Sequence, residues 1–274
     1  MRRFGRVVLG GTFDRLHVGH EALLATAFRA GRSVAIGLTS ERYLAGHPKP
    51  EGTEIQPFSH RRRVLRRWLS ARYPATRWTL VPLDDGFGGS VREGVDALVV
   101  SADTAAGADA VNRERGRRGL PTVPVLVVPL VLADDLRPVS SRRIRSGEID
   151  RDGRRRTAIK VGLAVEHPED RPAASQGIRR AFPRGRVVPV ELPRTPGRIA
   201  PRLRNAARLA AGAGELGVAV ARPSSRQWAV AVRSADVALE PQTVSRRPSV
   251  RLSAPLAALL RRSDRAKRYS PGRS

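Results

Sequence analysis

Two histidines, His17 and His20, lie three residues apart across Gly19, at the end of the stretch Gly10-Gly11-Thr12-Phe13-Asp14-Arg15-Leu16-His17-Val18-Gly19-His20. Lacking a Cβ, Gly10 and Gly11 let main-chain N–H groups come close to an anion. A helix starting near Val18 would turn its positive end to the same spot. His17 and His20 could then both face that spot as hydrogen-bonding or titratable partners of phosphate oxygens. Far along the chain, Val139-Ser140-Ser141-Arg142-Arg143-Ile144-Arg145 offers a second set of groups. Its serines supply an N-cap and hydroxyl donors, and its arginines can make charge-assisted, bidentate contacts to phosphate. Taken singly, each string also has a plain structural meaning, a glycine turn with surface histidines or a solvated helix end. Taken together they point to the handling of a phosphate-bearing substrate.

Such groups need a scaffold that brings positions ~130 residues apart together. Residues 6–9, 33–38, 77–83, 96–101 and 123–130 are short apolar runs bounded by turn residues, as buried parallel strands are. Between them lie helix-length amphipathic stretches. Residues 20–29 place Ala22, Leu23, Ala27 and Phe28 on one side. Residues 59–72 place Val64, Leu65, Trp68 and Leu69 together, opposite an arginine-rich face. Residues 103–118 form a weaker, more polar helix. The alternation predicts an α/β fold, a doubly wound, Rossmann-like parallel sheet, which binds ligands beyond the carboxyl ends of its strands. Lys49 lies in a Pro/Gly-rich loop after the second strand, Arg61 starts the following helix, and Asp103 ends the fourth strand.

Composition narrows the classes. With 274 residues, 41% of them apolar, the chain can form one large domain or two, each with a core. It has no cysteine, so disulfides, thiolate metal sites and cysteine nucleophiles are excluded. No apolar run is long enough for a membrane helix, and the N-terminus leads straight into a strand-like segment. Both features point to a cytoplasmic protein. The net charge is +26. Only Lys49, Lys160 and Lys267 are lysines, so nearly all the basic residues are arginine. Abundant Ala, Gly, Pro and Arg together fit a compositional bias. Anion binding is the other reading, and 4% aromatic residues argue against a base-stacking surface for nucleic acid. The charge is also uneven, with 24 basic and 16 acidic side chains in residues 1–150 but 27 and 9 thereafter. The composition changes around 150–156, which reads as a linker between a domain at 1–153 and another at 157–262, followed by a disordered basic tail at 263–274.

The first stretch, G-G-T-F-D-x-x-H-x-G-H, resembles the signature of the HxGH nucleotidyltransferases. The Val139–Arg145 stretch is similar to that superfamily's I-S-S-T-x-I-R motif, with Arg142 in place of threonine. Ile36-Gly37-Leu38-Thr39-Ser40, Val99-Val100-Ser101-Ala102-Asp103-Thr104 with Gly107, Ala108, Val111 and Asn112, Arg118-Gly119-Leu120-Pro121 and Ser146-Gly147-Glu148-Ile149-Asp150 resemble the archaeal and eukaryotic type of phosphopantetheine adenylyltransferase. The resemblance covers residues 4–153. It implies AMP transfer from ATP to 4′-phosphopantetheine, giving dephospho-coenzyme A and pyrophosphate, with Mg²⁺ accompanying ATP. It also implies roles. His17 and His20 act on the triphosphate and the transition state, and the Thr12 hydroxyl meets the acceptor phosphate. Gly10, Gly11, Phe13, Asp14, Ser140, Ser141 and Arg145 hold the nucleotide. Lys49, Arg61 and Asp103 are acceptor-side candidates, Asp103 with the alternative of a helix N-cap beside Thr104. FMN, nicotinamide mononucleotide or glycerol 3-phosphate stand as rival acceptors. A basic nucleic-acid-binding pseudoenzyme stands as the rival class.

From residue 157 on, strands at 159–164, 186–190, 217–221 and 228–232 and helices at 176–182 and 202–211 again predict α/β structure. Val161-Gly162, Ile178 to Phe182, Val187 to Val190, Arg204-Asn205-Ala206 and Trp228-Ala229-Val230 faintly resemble the inosine/xanthosine triphosphatase-like family. That family's S-x-N-x-x-K phosphate loop has no counterpart in 165–176, and its metal-binding acid aligns with Ala221 or Arg222. Glu215 is the only acid between 192 and 234. A hydrolase of this kind needs carboxylates for Mg²⁺, so the second domain is expected to be degenerate, with a role in stability or in a homo-oligomer.

Overall fold

The computed structural model describes residues 3–47, 55–191, 199–224, 227–234, 238–239 and 241–245. Lys49 and the tail from 263 lie outside them. The chain divides into two compact units, one of Met1–Val131 with Val139–Ser146, the other of Leu132–Pro138 with Gly147–Ser274.

The first unit runs β1 (Phe4–Gly11), α1 (Val18–Ala30), β2 (Gly31–Thr39), α2 (Glu41–Gly46), α3 (Phe58–Ser70), β3 (Trp78–Leu83), β4 (Ala97–Ser101), α4 (Ala105–Arg117), β5 (Val125–Val128) and α5 (Ser141–Arg145). Its five strands are parallel in the order β3-β2-β1-β4-β5. After β3 the chain crosses to the other flank of β1. The order therefore reverses between β1 and β4, the place where open α/β sheets bind ligands. Alternate residues serve opposite faces. Val7, Leu9, Val34, Ile36, Ala97 and Val99 meet Leu24 and Phe28 of α1 and Leu65 and Leu69 of α3. Val8, Ala35 and Leu98 meet Ala108 and Val111 of α4. Coverage on both faces explains why these strands read as continuous apolar runs.

All five strands expected from the sequence are present. β5 is shorter than the 123–130 run, because Pro124 and Pro129 bracket it and neither can donate to a ladder. α1 begins at Val18, as expected, two residues ahead of the amphipathic stretch at 20–29, with the His17 side chain as its cap. The six-residue α2, capped by Ser40, had no periodic signal long enough to foresee. α3 departs from its amphipathic pattern in one respect. Arg61 is fully buried beside Leu65 and Leu69, while Val64 and Trp68 are only half-buried. The polar α4 is similar: Arg115 is buried, donating to the carbonyls of Pro121 (2.7 Å), Ser90 (2.7 Å) and Arg92 (3.0 Å). Each guanidinium satisfies loop carbonyls that burial would otherwise leave unpaired.

The second unit contains β6 (Lys160–Val165), α6 (Arg171–Ala181), β7 (Arg186–Val190), α7 (Ile199–Gly212), β8 (Leu216–Ser224), β9 (Gln227–Arg233) and β10 (Gln242–Ser245). Its mixed sheet has the order β10-β9-β8-β6-β7, with β6, β7 and β8 parallel and the other pairings antiparallel. One face carries large side chains, Val161, Leu163, Val218, Val220, Trp228 and Val230, against Ile178 and Phe182. The other is Ala164, Ala219, Ala221, Ala229 and Ala231 against Ala206, Ala207 and Ala210 of α7. Gly162 and Gly217 lie under that helix, and a Cβ at either would run into its backbone. The large/small alternation in Val-Gly-Leu-Ala-Val and Leu-Gly-Val-Ala-Val-Ala encodes this close approach. Segments 132–138 and 147–153, expected within the first domain, belong here. Leu132 and Leu136 join the second core. Arg155, almost fully buried, pairs with Asp135 (2.8 Å), Glu148 (2.6 Å) and Glu215 (2.8 Å). Glu215 also accepts from the Lys160 N–H (3.2 Å), so its carboxylate is engaged in holding segments together.

Candidate active site

The last residues of β1 and the loop to α1 form the floor of the site. Gly10 and Gly11 pair in register with Gly37 and Leu38 of β2. Beyond them the backbone bends sharply, with φ of 48° at both Phe13 and Arg15. Side chains other than glycine seldom occupy this left-handed region, so surrounding contacts must hold the bend. Phe13 is buried, and its ring lies 5.2 Å from that of His20.

His17 occupies the N-cap of α1, where its Nδ1 accepts from the Gly19 N–H at 3.1 Å. That bond assigns the ring proton of the neutral imidazole to Nε2, leaving Nε2–H as a donor. Burial pushes the His17 pKa down to about 4, with the Asp14 carboxylate pulling the other way. The ring is therefore neutral near pH 7. His20, one turn on, stacks against it with centroids 3.8 Å apart. Gly19 leaves room for the His17 ring: a Cβ there would stand 3.0 Å from it, tighter than ordinary contact. A neutral donor and a second imidazole thus sit at the positive end of a 13-residue helix.

Asp14 joins this loop to α5. Its carboxylate, 1% exposed, pairs with Arg145 at 2.6 Å and accepts the Gln56 N–H at 3.0 Å. Its carbonyl accepts the Ser141 hydroxyl at 2.7 Å. The two motifs, 127 residues apart in sequence, are thereby held together. Ser140 caps α5, its hydroxyl accepting from the Arg143 N–H at 3.4 Å. Arg142, at the position where the motif departs, is exposed, whereas Arg143 is buried.

The remaining candidates are placed unequally. Thr12 is half-buried in the floor loop, and its carbonyl accepts from Arg61 at 2.9 Å. Asp103 is exposed in a short 3-10 turn beyond β4, at the sheet end that carries the floor loop. It does not cap the helix. Ser101, whose backbone is extended as a cap requires, and Thr104 close that turn reciprocally, and Thr104 holds the N-cap position of α4. Gln56 is a participant the sequence did not flag, and Thr39 entered only as part of the Ile36–Ser40 stretch, with no role of its own. Gln56 accepts from the Arg15 N–H through its side chain (3.0 Å) and from Arg61 through its carbonyl (2.7 Å). Thr39 offers Arg61 its carbonyl at 2.9 Å. A lone glutamine in a loop carries no periodic or motif signal.

No group of three or more metal-ligating side chains occurs among the described residues, and the Asp14 carboxylate already faces an arginine. The donor set here does not form a protein cage for a divalent ion. No helix among the described residues is long and apolar enough to cross a membrane.

The reversed strand order, with a phosphate-compatible turn at the end of β1 and an arginine–serine helix beside it, defines a Rossmann-like nucleotidyltransferase domain. The chain belongs to the cytidylyltransferase-like family, whose model matches residues 8–147. It is 40% identical over 152 residues to the phosphopantetheine adenylyltransferase of Methanopyrus kandleri, covering 55% of this chain and 94% of that protein. It is 41% identical over 150 residues to the enzyme of that name from Methanothermobacter thermautotrophicus, covering 54% and 88%. A bifunctional phosphopantetheine adenylyltransferase/NTP phosphatase of Thermoplasma acidophilum is 37% identical over 182 residues, 66% of this chain. The match spans about half, 54%, of that relative's length.

Proposed function

We propose that the first unit transfers the adenylyl group of ATP to 4′-phosphopantetheine, producing dephospho-coenzyme A and pyrophosphate. The observation that carries this reading is the joined site itself: His17 and His20 at the start of α1, tied through Asp14 to Ser141 and Arg145. The names of the relatives supply the acceptor. A phosphate oxygen of phosphopantetheine attacks the α-phosphorus of ATP. The bond from that phosphorus to the oxygen bridging to the β-phosphate breaks, and pyrophosphate leaves with the electron pair. The acceptor phosphate is already an anionic nucleophile, so the protein need not remove a proton. Its work is positioning and charge stabilisation. The floor-loop N–H groups, the His17 Nε2–H and His20 face the transferring phosphoryl group, and Thr12 meets the acceptor phosphate. Ser140, Ser141 and Arg145 lie toward the β- and γ-phosphates, with Gly10, Gly11, Phe13 and Asp14 shaping the nucleotide side. Lys49 and Asp103 remain acceptor-side candidates. Mg²⁺ arrives with the triphosphate as part of the substrate. We assign the reaction to the cytoplasm.

The test is pyrophosphate release from Mg-ATP by the full chain with 4′-phosphopantetheine, FMN, nicotinamide mononucleotide or no acceptor, and from Mg-CTP with glycerol 3-phosphate. Release with phosphopantetheine alone is expected. Release with a different acceptor would keep the chemistry and change the substrate. His20→Ala, with its fold intact, should reduce turnover at least ~100-fold, the range for losing a transition-state contact.

A further inference from the structure

Arg61 is placed differently from the other arginines of its helix. Arg62, Arg63, Arg66 and Arg67 are exposed, whereas Arg61 is 1% exposed. Its Nε donates to the Gln56 carbonyl at 2.7 Å. Its Nη1 donates to the carbonyls of Thr12 and Thr39, both at 2.9 Å, with the Thr39 hydroxyl at 3.4 Å. The Phe58 ring lies 5.8 Å from the guanidinium carbon. Nη2 has no hydrogen-bond partner among the described residues, and it too is buried. Protein therefore encloses the guanidinium, which gathers three carbonyls from three segments: the floor loop, the end of β2 and the approach to α3. The carboxylates of Asp14 and Glu41 favour its charge.

The Thr12 carbonyl is the informative partner. It shares a planar trans peptide with the Phe13 N–H, and the two groups point in opposite directions. Anchoring the carbonyl to Arg61 therefore turns the Phe13 N–H away from α3. No turn or loop hydrogen bond among the described residues takes up that N–H. The anchored peptide also leads directly into the left-handed φ of 48° at Phe13, a conformation that needs external support.

We propose that Arg61 is a positioning residue: it locks the Thr12–Phe13 peptide so that the Phe13 N–H is aimed at the transferring phosphate, and it does not itself bind substrate. This assigns Arg61 a role other than the acceptor contact expected from its place in the sequence, and it rests on the adenylyl-transfer reading above. Lysine cannot replace it fully, because one ammonium lacks the planar fork that reaches three carbonyls at once.

The test compares the full-length wild type, Arg61→Lys and Arg61→Gln, with the exposed Arg66→Gln as a control on the same helix. The readouts are the single-turnover rate, the KM for each substrate and thermal unfolding. A misaimed donor should slow single turnover by about 100-fold in Arg61→Gln. Both KM values should stay within about threefold of wild type, and unfolding should remain cooperative above the assay temperature. Arg61→Lys should recover part of the rate, and Arg66→Gln should match wild type. If Arg61→Gln fails to fold, the Arg61→Lys rate decides. A raised KM for phosphopantetheine with an unchanged rate would make Arg61 a ligand and overturn the proposal. Unchanged kinetics, or failure of both variants to fold, would overturn it as well. A wild type that releases no pyrophosphate with phosphopantetheine would instead overturn the functional reading, so the two failures are distinct.

Discussion

His17 shows how a single side chain can be committed to one protonation state by its surroundings. Its Nδ1 accepts from the Gly19 N–H, and burial lowers its pKa to about 4. An unfolded histidine titrates near 6.5, so the unfolded chain takes up this proton first as the pH falls. The contribution to stability is therefore fully present above about pH 6.5. It is lost progressively as the pH drops toward about 4, and totals about 3 kcal/mol. Urea unfolding from pH 7 to 4 should show this loss, and His17→Asn should flatten that part of the profile. Independently, the His17 ring signals in an NMR titration should move with a midpoint near 4, with Nε2 carrying the proton at neutral pH. A midpoint near 6.5 would contradict the buried, neutral donor. Both histidines were legible from their spacing across a glycine next to a glycine turn. Gln56, which holds the same loop through hydrogen bonds with Asp14 and Arg15, was not, because nothing in its local sequence distinguishes it.

Between elements, the decisive link is the Asp14–Arg145 pair. It fastens the loop after β1 to α5, and both side chains are nearly excluded from water. Breaking a buried pair by removing one charge leaves the other stranded, at a cost of about 3–5 kcal/mol. Asp14→Asn should thus destabilise the first unit by about that amount in urea unfolding. Arg145→Met should cost far less in the Asp14→Asn background than in wild type, the coupling a double-mutant cycle measures. Equal costs in both backgrounds would mean that the pair does not couple the two motifs. Strand positions were readable because burial on both faces imprints a continuous apolar run. The burial of Arg61 and Arg115 was not, because charged side chains ordinarily stay in water even when, as here, they fall in helical register with buried neighbours, Leu65 and Leu69 for one and Ala108 and Val111 for the other. Their role depends on which carbonyls happen to lie nearby.

At the scale of the molecule, the boundary between the two units does not follow chain order. Leu132 and Leu136 pack in the second core, and Arg155 ties Asp135 and Glu148 to Glu215. A chain ending at Arg156 should therefore leave Leu132 and Leu136 without their partners. It should aggregate more readily and melt lower, while its soluble fraction retains adenylyl transfer. A soluble, folded but inactive truncation would show that the rest of the chain is needed for the chemistry. The full chain should release neither phosphate nor pyrophosphate from ITP. Glu215 is engaged with Arg155 and Lys160, and Glu166 pairs with Arg202, so these two acids are held in structural contacts. ITP hydrolysis would reverse that assignment.

The amino-acid sequence alone determined the glycine turn and paired histidines at the end of β1, the five parallel strands alternating with helices, and the presence of a second α/β unit. These are encoded by local spacing and by the period-two and helical patterns that burial imposes on neighbouring residues. Only the tertiary structure decided which few of the many arginines go inside, that Asp14 would meet Arg145 across 131 residues, and that 132–138 would join the second core. Those outcomes depend on which polar groups and side chains are brought together in space and must be paired once water is excluded, and no short-range pattern records that.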